Sequence, residues 1–307
     1  MMRKERYGHP APRADYNRAG RTTGERTGVL MILCATLNWG FGYLIIHDAA
    51  SKMPLNALMF SRYLIASGVL ILIFRKRFAD LDLSRLCKGG VLGFLIFTGQ
   101  YLQTSALSCQ GITPGETAFI TTLYTVCVPV MNVLFFHACW SAANIVSVML
   151  SVPGLLLLNG NGTLGFGTGQ VLALLGMLAF SGHILAASMF TKEEDVIVLT
   201  TVQFGTAALL SLALSVLRPG HTRLVWSGYA IAVLLYLGVL NTMAGFLLQF
   251  FGQQKLSAEK TSFLLSTESL FGMIISALFG REHLSVVNLL GCILLTTAIL
   301  ISVRHGN

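Results

Sequence analysis

Long apolar runs separated by short polar turns dominate this chain from residue 28 to residue 303. Glu116 is the single Asp, Glu, Lys or Arg residue between Lys88 and Lys192. A protein surface in contact with water does not have so few charged residues. Each run is close to the roughly 20 residues that cross a hydrocarbon core as a helix. The pattern predicts ten membrane-spanning helices, over Gly28–His47, Asn56–Phe74, Cys87–Leu107, Pro114–Phe136, Ala142–Leu158, Thr168–Phe190, Val196–Leu217, Ser227–Phe251, Ala258–Phe279 and Leu284–Val303.

The composition fits an all-α polytopic membrane protein. Of the 307 residues, 54% are hydrophobic and only 11% are charged, against about 25% charged residues in soluble domains. A net charge of +8 would suggest nucleic acid as a partner of a soluble protein. Here the basic residues cluster at the ends of apolar runs, where they orient helices in a membrane. We therefore expect the lipid bilayer, and not nucleic acid, around this chain.

The basic residues also predict the orientation of the chain. With the N-terminus inside, sixteen Lys or Arg residues fall in inner segments and four in outer ones. Because positive charge marks the cytoplasmic side, both termini are predicted to be cytoplasmic, with the chain in the cytoplasmic (inner) membrane. The first 27 residues contain seven Lys or Arg and predict a disordered arm against the anionic membrane face. The apolar run after them exceeds a signal-peptide core of roughly 7 to 15 residues, so we expect it to be retained.

A weak internal repeat divides the predicted helices into two halves. A shift of 144 residues lays Ile112–Ile120 on Leu256–Leu264 and places Tyr124 on Glu268. Because each half holds five helices, the second half must enter the membrane in the opposite sense, which is the inverted repeat of secondary transporters. The predicted domains are a basic cytoplasmic arm (1–27), a first five-helix repeat (28–158), an outer connecting loop (159–167), a second five-helix repeat (168–303) and a cytoplasmic tail (304–307).

Glu268 is the strongest candidate for a functional residue. It is the one charged residue in the run Phe263–Phe279, near the middle of the predicted ninth helix, where a carboxylate costs roughly 2.5 to 3.5 kcal/mol on insertion scales. Such a residue faces other helices, lines a water-filled cavity or is protonated. We interpret it as a substrate-binding residue and as the candidate for proton coupling, because a hydroxyl would provide interhelical hydrogen bonding at a lower insertion cost.

Further polar and aromatic residues fall on the predicted first, third, fourth and eighth helices, where they could face the same interior. Two glutamines on the third helix cannot both face lipid cheaply, so at least one of them is expected to point inward. The alternative for all these positions is helix packing through interhelical hydrogen bonds. The predicted substrate-binding set is Glu268, Tyr124, Gln249, Asn241, Gln103, Tyr101, Trp39, Asn38 and Asn132.

Two other polar residues receive structural interpretations. Arg62 lies within snorkelling reach of the outer interface, so an interfacial anchor or a partner for an outer carboxylate is favoured over a substrate clamp. His183, in the middle of the sixth predicted helix, is interpreted as a neutral, hydrogen-bonded histidine. Because few fixed cations are expected inside the membrane, phosphorylated substrates are disfavoured. A cation, a zwitterion or an aromatic amphiphile suits Glu268 and the neighbouring aromatic residues better.

Signatures of enzymes and of metal sites are missing from the sequence. It contains no phosphate-binding loop, no dinucleotide glycine pattern, no nucleophile elbow and no zinc-protease motif. The six cysteines are scattered without metal-ligand spacing and are interpreted as small apolar residues. We therefore expect no catalytic residues, no metal and no cofactor, and transport that runs on a gradient.

These features resemble the drug/metabolite transporter superfamily, specifically the EamA-like ten-helix transporters. The resemblance covers roughly residues 28–303. It rests on Asn38-Trp39-Gly40, on Ala118-Phe119-Ile120-Thr121 with Leu123-Tyr124 and Val128-Pro129, and on Thr267-Glu268 with Glu282, Leu284 and Ser285. It implies export or facilitated movement of small organic solutes, such as amino acids, other metabolites or toxic compounds, by alternating access. There are two departures from the family pattern. Ser269 stands where family members usually have proline, which predicts a straighter helix, and the loop His137–Trp140 lacks their usual Gly-Glu pair.

The sequence thus predicts a secondary active transporter, an exporter of small organic metabolites or drugs with Glu268 as the proton-coupling residue. Its expected partners are a small-molecule substrate and the bilayer, and a second copy of the chain is a candidate partner in a homodimer. A polytopic sensor or assembly subunit on the same scaffold is the alternative function. An intramembrane enzyme, which would need Glu268 and His183 to act together, is a third hypothesis.

Overall fold

Helices make up the structure, a computed structural model that describes residues 14–50, 52–107, 109–110, 112, 114–137, 140–159, 167–217, 227–280 and 285–305. No strand occurs within these ranges. The helices are α1 Ala14–Ala50, α2 Leu55–Phe74, α3 Leu83–Leu107, α4 Pro114–Thr122, α5 Tyr124–Phe136, α6 Ala142–Asn159, α7 Thr168–Glu193, α8 Val196–Leu217, α9 Gly228–Leu235, α10 Gly245–Gln253, α11 Ala258–Leu265, α12 Thr267–Leu278 and α13 Val286–His305.

In the described part of the chain, the apolar runs predicted from the sequence lie largely on helical backbone. Within the described ranges, seven helical segments are long and apolar enough to cross a membrane, and α6 adds a shorter apolar helix. The chain is therefore a multi-pass membrane protein, as predicted. Large apolar side chains also cover much of the outer surface, with Leu72 78% exposed and Leu209 68% exposed. Such exposed apolar surface fits contact with lipid.

Helix ends follow the local sequence. Ser227 and Ser257 precede α9 and α11, and each side-chain oxygen accepts a hydrogen bond from a backbone N–H in the first turn, which satisfies one of the donors that a helix start leaves unpaired. Before α8, Asp195 Oδ1 likewise accepts a 2.8 Å hydrogen bond from the backbone N–H of Ile197. At the end of α5, His137 has a φ of 53°, the left-handed conformation that closes many helices.

Three of the predicted spans are not continuous α-helices. Leu123 separates α4 from α5, and Ser266 separates α11 from α12. Between α9 and α10 the chain forms a π-helix from Tyr236 to Ala244, a conformation found mostly in short pieces and often at functional sites. The ninth span is interrupted at Ser266, three residues before Ser269, and the straighter course expected from Ser269 stays a prediction.

The first helix begins earlier than the sequence predicted. It starts at Ala14, so residues 14–27 are helical where we predicted a disordered arm, and residues 1–13 of that arm lie outside the described residues. The extension is held by an ion pair of 2.6 Å between Glu25 and Lys260. Directly after the extension, Gly28 packs closely against Leu256, since a Cβ atom at Gly28 would lie 3.0 Å from the Leu256 side chain. These contacts fix the extension against the start of α11.

Helices from the two ends of the chain pack against each other. The α3 helix lies against α7 and α8, α2 lies against α8, and α6 pairs with α13. The α1 helix packs on both α10 and α12. At Gly40 in α1, a Cβ atom would lie 2.9 Å from Phe271 Cβ, so the backbones of α1 and α12 approach closely. These pairings bring residues of both halves to one interior space.

Candidate functional site

A cavity of about 610 Å³ lies between the helices. Its walls come from α1, α2, α3, α4, α5, α7, α10, α11, α12 and the π-helix. We expected the first, third, fourth, eighth and ninth spans to form such a cavity, and all of them contribute. The second and sixth spans, α2 and α7, also contribute, which the sequence did not indicate. The volume suits a small organic molecule.

Most of the predicted substrate-binding residues line this cavity. They belong to five different spans, and the structure brings them together around one space. The residues of the predicted set that line it are Glu268, Tyr124, Gln249, Asn241, Gln103 and Trp39. The remaining three, Tyr101, Asn38 and Asn132, are not among the described residues that line it.

Glu268 presents a carboxylate to the cavity without a hydrogen bond or ion pair to any side chain or backbone group in the described part of the chain. Its two neighbours hold the start of α12 in place. Thr267 Oγ1 lies 2.7 Å from Thr36 Oγ1 on α1, and Ser269 Oγ lies 3.3 Å from Thr122 Oγ1 on α4. The carboxylate therefore stands on a fixed backbone and remains open to a ligand or to water.

Arg62 lies in the cavity wall, and this corrects its interpretation as an interfacial anchor or a partner of an outer carboxylate. The residue is only 6% exposed. Its Nε donates a 2.8 Å hydrogen bond to Thr242 Oγ1, and its Nη2 donates to Asn241 Oδ1 at 3.4 Å. The sequence missed this site because the two acceptors are about 180 residues away in the chain and belong to the π-helix.

Asn38 and Trp39 bind the backbone of the π-helix. Asn38 Nδ2 donates to the carbonyl of Leu240 at 2.8 Å, and Trp39 Nε1 donates to the carbonyl of Asn241 at 2.8 Å. Within a membrane every backbone polar group needs a partner, and irregular helices present carbonyls that side chains can satisfy. Asn38 thus has a structural role here. Trp39 has this role too, while its ring also lines the cavity.

Amide side chains of the walls are held by short hydrogen bonds. Gln103 Nε2 donates to Thr121 Oγ1 at 3.1 Å, and Gln249 Nε2 donates to Gln253 Oε1 at 3.0 Å. Gln100 Oε1 accepts a 3.0 Å hydrogen bond from the Tyr63 hydroxyl. Both glutamines of the third span, Gln100 and Gln103, line the cavity, which agrees with the expectation that at least one of them points inward.

His183 also lines the cavity but is engaged in hydrogen bonding. It is 2% exposed, and its Nε2 lies 2.7 Å from Gln203 Oε1. The rings of Phe246 and Phe250 lie 5.9 Å and 5.8 Å from the imidazole, measured between ring centroids. This environment confirms the interpretation of a hydrogen-bonded histidine in the core.

Two residues of the predicted set have other partners. Tyr101 stacks on Phe97, with ring centroids 5.8 Å apart. Asn132, on α5, donates its side-chain amide to the carboxylate of Glu259 at the start of α11. Helical spacing placed Asn132 on the same face as Tyr124, but it lies two turns further along, beside the neighbouring helix. Asn132 therefore joins α5 to α11 in this structure.

Within the described residues there is no group of three or more His, Cys, Asp or Glu side chains that could hold a metal ion. The ionisable residues that line the cavity in the described ranges are Arg62, His183, Tyr124 and Glu268. The walls are otherwise amide, hydroxyl, aromatic and aliphatic groups. This arrangement can bind a small solute through a few charged and polar contacts, with aromatic rings against its apolar part.

A second polar cluster lies away from the cavity, between the α2–α3 and α7–α8 connections. Glu194 accepts a hydrogen bond of 2.7 Å from Lys88 Nζ and one of 3.0 Å from Arg85 Nε. These two donors hold the pKa of Glu194 below its usual value. Arg77 pairs with Asp195 at 2.5 Å in the same cluster. The cluster ties the end of α7 and the start of α8 to the start of α3.

Comparisons with known proteins agree with this architecture. The model of the EamA-like transporter family matches the chain twice, over residues 26–160 and 167–304. An uncharacterized transporter of Archaeoglobus fulgidus is 25% identical over 272 residues, which cover 89% of this chain and 84% of the relative. One solved crystal structure has a TM-score of 0.75 and 17% identity, over 90% of this chain and 96% of its own. That last likeness concerns the fold alone.

Proposed function

The chain belongs to the EamA-like transporter family, which confirms the resemblance drawn from its sequence, and on this premise we propose that it is a secondary active exporter of small organic solutes. In this proposal ten helices cross the cytoplasmic membrane as two inverted five-helix repeats, with both termini in the cytoplasm. Support comes from the separate family match to each half. Further support comes from the helix interruptions at Leu123 and Ser266. The 144-residue shift places Leu123 on Thr267, one residue from Ser266.

The observation that carries the proposal is the carboxylate of Glu268 in the cavity. A charged group inside a membrane protein is costly and is retained where it binds an ion, a proton or a substrate. Its lack of a protein partner among the described residues leaves it available for each of these. We propose that Glu268 binds the cationic part of the solute or a proton, and that Tyr124, Gln103, Asn241, Gln249 and Trp39 form the rest of the binding surface.

Alternating access would open this cavity to one side of the membrane at a time. Exchange of a proton for the solute at Glu268 would then couple export to the proton gradient. Solute flux through the protein distinguishes this proposal from the alternative function, a sensor or assembly subunit without transport. The enzyme hypothesis is weaker, because His183 is already hydrogen-bonded to Gln203.

The test begins with purified protein and a thermal-shift screen against amino acids, amines and common antimicrobials. Solutes that stabilise the protein are then followed in proteoliposomes with and without a pH gradient. We expect wild-type flux to depend on the gradient and Glu268→Gln to lose that dependence. The control is Asp80→Asn, which removes an exposed carboxylate in the α2–α3 connection and should leave transport unchanged.

Two outcomes would count against the proposal. Unchanged flux and unchanged gradient dependence in Glu268→Gln would exclude Glu268 as the coupling group. Absence of flux for every stabilising solute, together with a stable complex with another membrane protein, would favour the sensor or assembly subunit.

A further inference from the structure

We infer that Arg62 selects solutes that carry a carboxylate, and that the π-helix Tyr236–Ala244 positions the Arg62 guanidinium for this purpose. The inference rests on the proposed transport function and adds the chemical class of the substrate. It adds Arg62 to the predicted substrate-binding set, and it gives Asn241, a member of that set, and Thr242 the further role of positioning Arg62.

Arg62 is a buried positive charge that contacts no opposite charge among the described residues. Arg62 is 6% exposed, and its side-chain hydrogen bonds go to a hydroxyl and an amide, both neutral. No acidic group of the described residues lies within ion-pair distance of it. An unpaired guanidinium in a low-dielectric interior is costly. An anion bound in the adjoining cavity would remove much of that cost.

The hydrogen-bond donors of Arg62 are arranged so that a carboxylate can bind to them. A guanidinium has five N–H groups, and the π-helix takes the one at Nε and one at Nη2. The donors at Nη1 have no partner in the described part of the protein. Arg62 itself lines the cavity. A planar guanidinium with one edge fixed and other donors available is suited to a carboxylate, which accepts two hydrogen bonds from it.

Contacts with α1 and α2 hold the π-helix itself in place. Consecutive residues Asn241 and Thr242 supply the two acceptors, and the carbonyl of Asn241 is fixed by Trp39 at 2.8 Å. On the α2 side, Gly238 lets the π-helix approach closely, since a Cβ atom there would lie 2.7 Å from a methyl carbon of Ile65. The position of the guanidinium is therefore set by the backbone of two helices and not by Arg62 alone.

The walls of the cavity carry one acidic and one basic side chain that suit the two ends of a zwitterion. Glu268 and Arg62 both line it, and their charges interact without an ion pair between them. A solute with a carboxylate can compensate Arg62 while its opposite end lies near Glu268. A purely cationic solute compensates Glu268 alone and leaves Arg62 without an anion. The cavity therefore favours solutes that carry a carboxylate over the corresponding amides, which lack the negative charge.

The experiment uses purified full-length protein and three matched probes. Phenylalanine carries both charges, phenylalaninamide lacks the carboxylate, and hydrocinnamate lacks the ammonium group; the shared ring suits the aromatic walls at Trp39, Phe180 and Phe246. Thermal-shift titrations give an apparent Kd for each probe. We expect wild type to prefer phenylalanine over its amide by about tenfold or more, the value of a charge-assisted hydrogen bond.

Variants separate charge from position. Arg62→Gln should lose the preference, Arg62→Lys should retain part of it, and Thr242→Val should reduce it although the charge of Arg62 is kept. The control Arg75→Gln removes an exposed arginine just after α2 and should match wild type. If Arg62→Gln does not fold, the wild-type ratio and Thr242→Val decide the question.

Equal binding of acid and amide by wild type, no response to either carboxylate probe, or an unchanged preference in Arg62→Gln would each overturn the inference. None of these results bears on the gradient-dependent flux in proteoliposomes, which tests the transport function separately. Loss of flux with an intact carboxylate preference would instead overturn the proposed function and leave the assignment of Arg62 standing.

Discussion

The indole Nε1–H of Trp39 on α1 donates a 2.8 Å hydrogen bond to the backbone carbonyl of Asn241 in the π-helix. The same ring lies 5.1 Å from that of Phe246, measured between centroids. The Trp39 side chain therefore joins α1 to the π-helix, whose residues Thr242 and Asn241 accept hydrogen bonds from Arg62. The stability of the π-helix and the position of Arg62 are linked through this contact.

Replacing Trp39 by phenylalanine should destabilise the protein. The change keeps an aromatic ring beside Phe246 but leaves the Asn241 carbonyl without its donor, which costs about 1–3 kcal/mol for a buried group. Thermal unfolding in detergent measures the effect. The matched control is Trp140→Phe, because Trp140 Nε1 also donates to a carbonyl, that of Pro129 at 3.2 Å, but its side chain is 39% exposed. Equal losses in the two variants would contradict the role given to Trp39.

A methyl group at Gly40 should separate α1 from α12. Its Cβ would lie 2.9 Å from Phe271 Cβ and 3.0 Å from the backbone nitrogen of Gly272, and such overpacking costs about 1–3 kcal/mol. We expect Gly40→Ala to lower both the unfolding temperature and the transport rate. Gly68→Ala is the control, because no atom lies within 4 Å of a Cβ there. That change should stabilise α2 by about 0.5–1 kcal/mol.

Asn132→Ala should reduce stability without changing solute affinity. The amide of Asn132 binds Glu259, which is 9% exposed, so its removal leaves a nearly buried carboxylate without that donor at a cost of about 1–3 kcal/mol. The KM for transport should remain close to that of wild type. Gln103→Ala, which removes an amide from the cavity wall, should raise KM instead. A raised KM in Asn132→Ala would return this residue to the substrate-binding set.

Glu194→Gln should weaken the ionic cluster at neutral pH and have less effect in acid. Lys88 and Arg85 hold the pKa of Glu194 below its usual value, so the charged form stabilises the folded state. A depressed folded-state pKa gives stability that is present above the ordinary glutamate pKa, about 4.5, and is lost as the pH falls through the folded-state value.

The measurement is the difference in unfolding temperature between wild type and Glu194→Gln across this pH range. The difference should be positive at pH 7 and should shrink below about pH 4.5. Glu193→Gln provides the comparison, since the Glu193 side chain is 63% exposed and, within the described residues, forms a single ion pair, with Lys88. It should show a smaller difference at every pH. A difference for Glu194→Gln that does not depend on pH would contradict the argument.

Local sequence properties were enough to predict much of this protein. The length and hydropathy of the apolar runs predicted the multi-pass helical architecture, because a helix that faces lipid must be apolar along its whole span. The insertion cost of a lone carboxylate singled out Glu268, and the structure places it in the cavity. The order of small motifs along the chain indicated the family. Each of these inferences depends on residues within one helix or on its neighbours in the sequence.

Only the tertiary structure decided the role of Arg62 and the interruptions of the helices. Arg62 could have pointed toward the interface or into the cavity, and the choice was made by Thr242 and Asn241 on a helix far away in the chain. Asn38 and Asn132 looked like cavity residues from their positions along helices, yet they bind neighbouring helices. The position of a residue along a helix determines which face of that helix its side chain lies on. Which other helix packs against that face depends on how all the helices pack together. The sequence therefore determined which residues were polar inside the membrane, and the packing determined what each of them contacts.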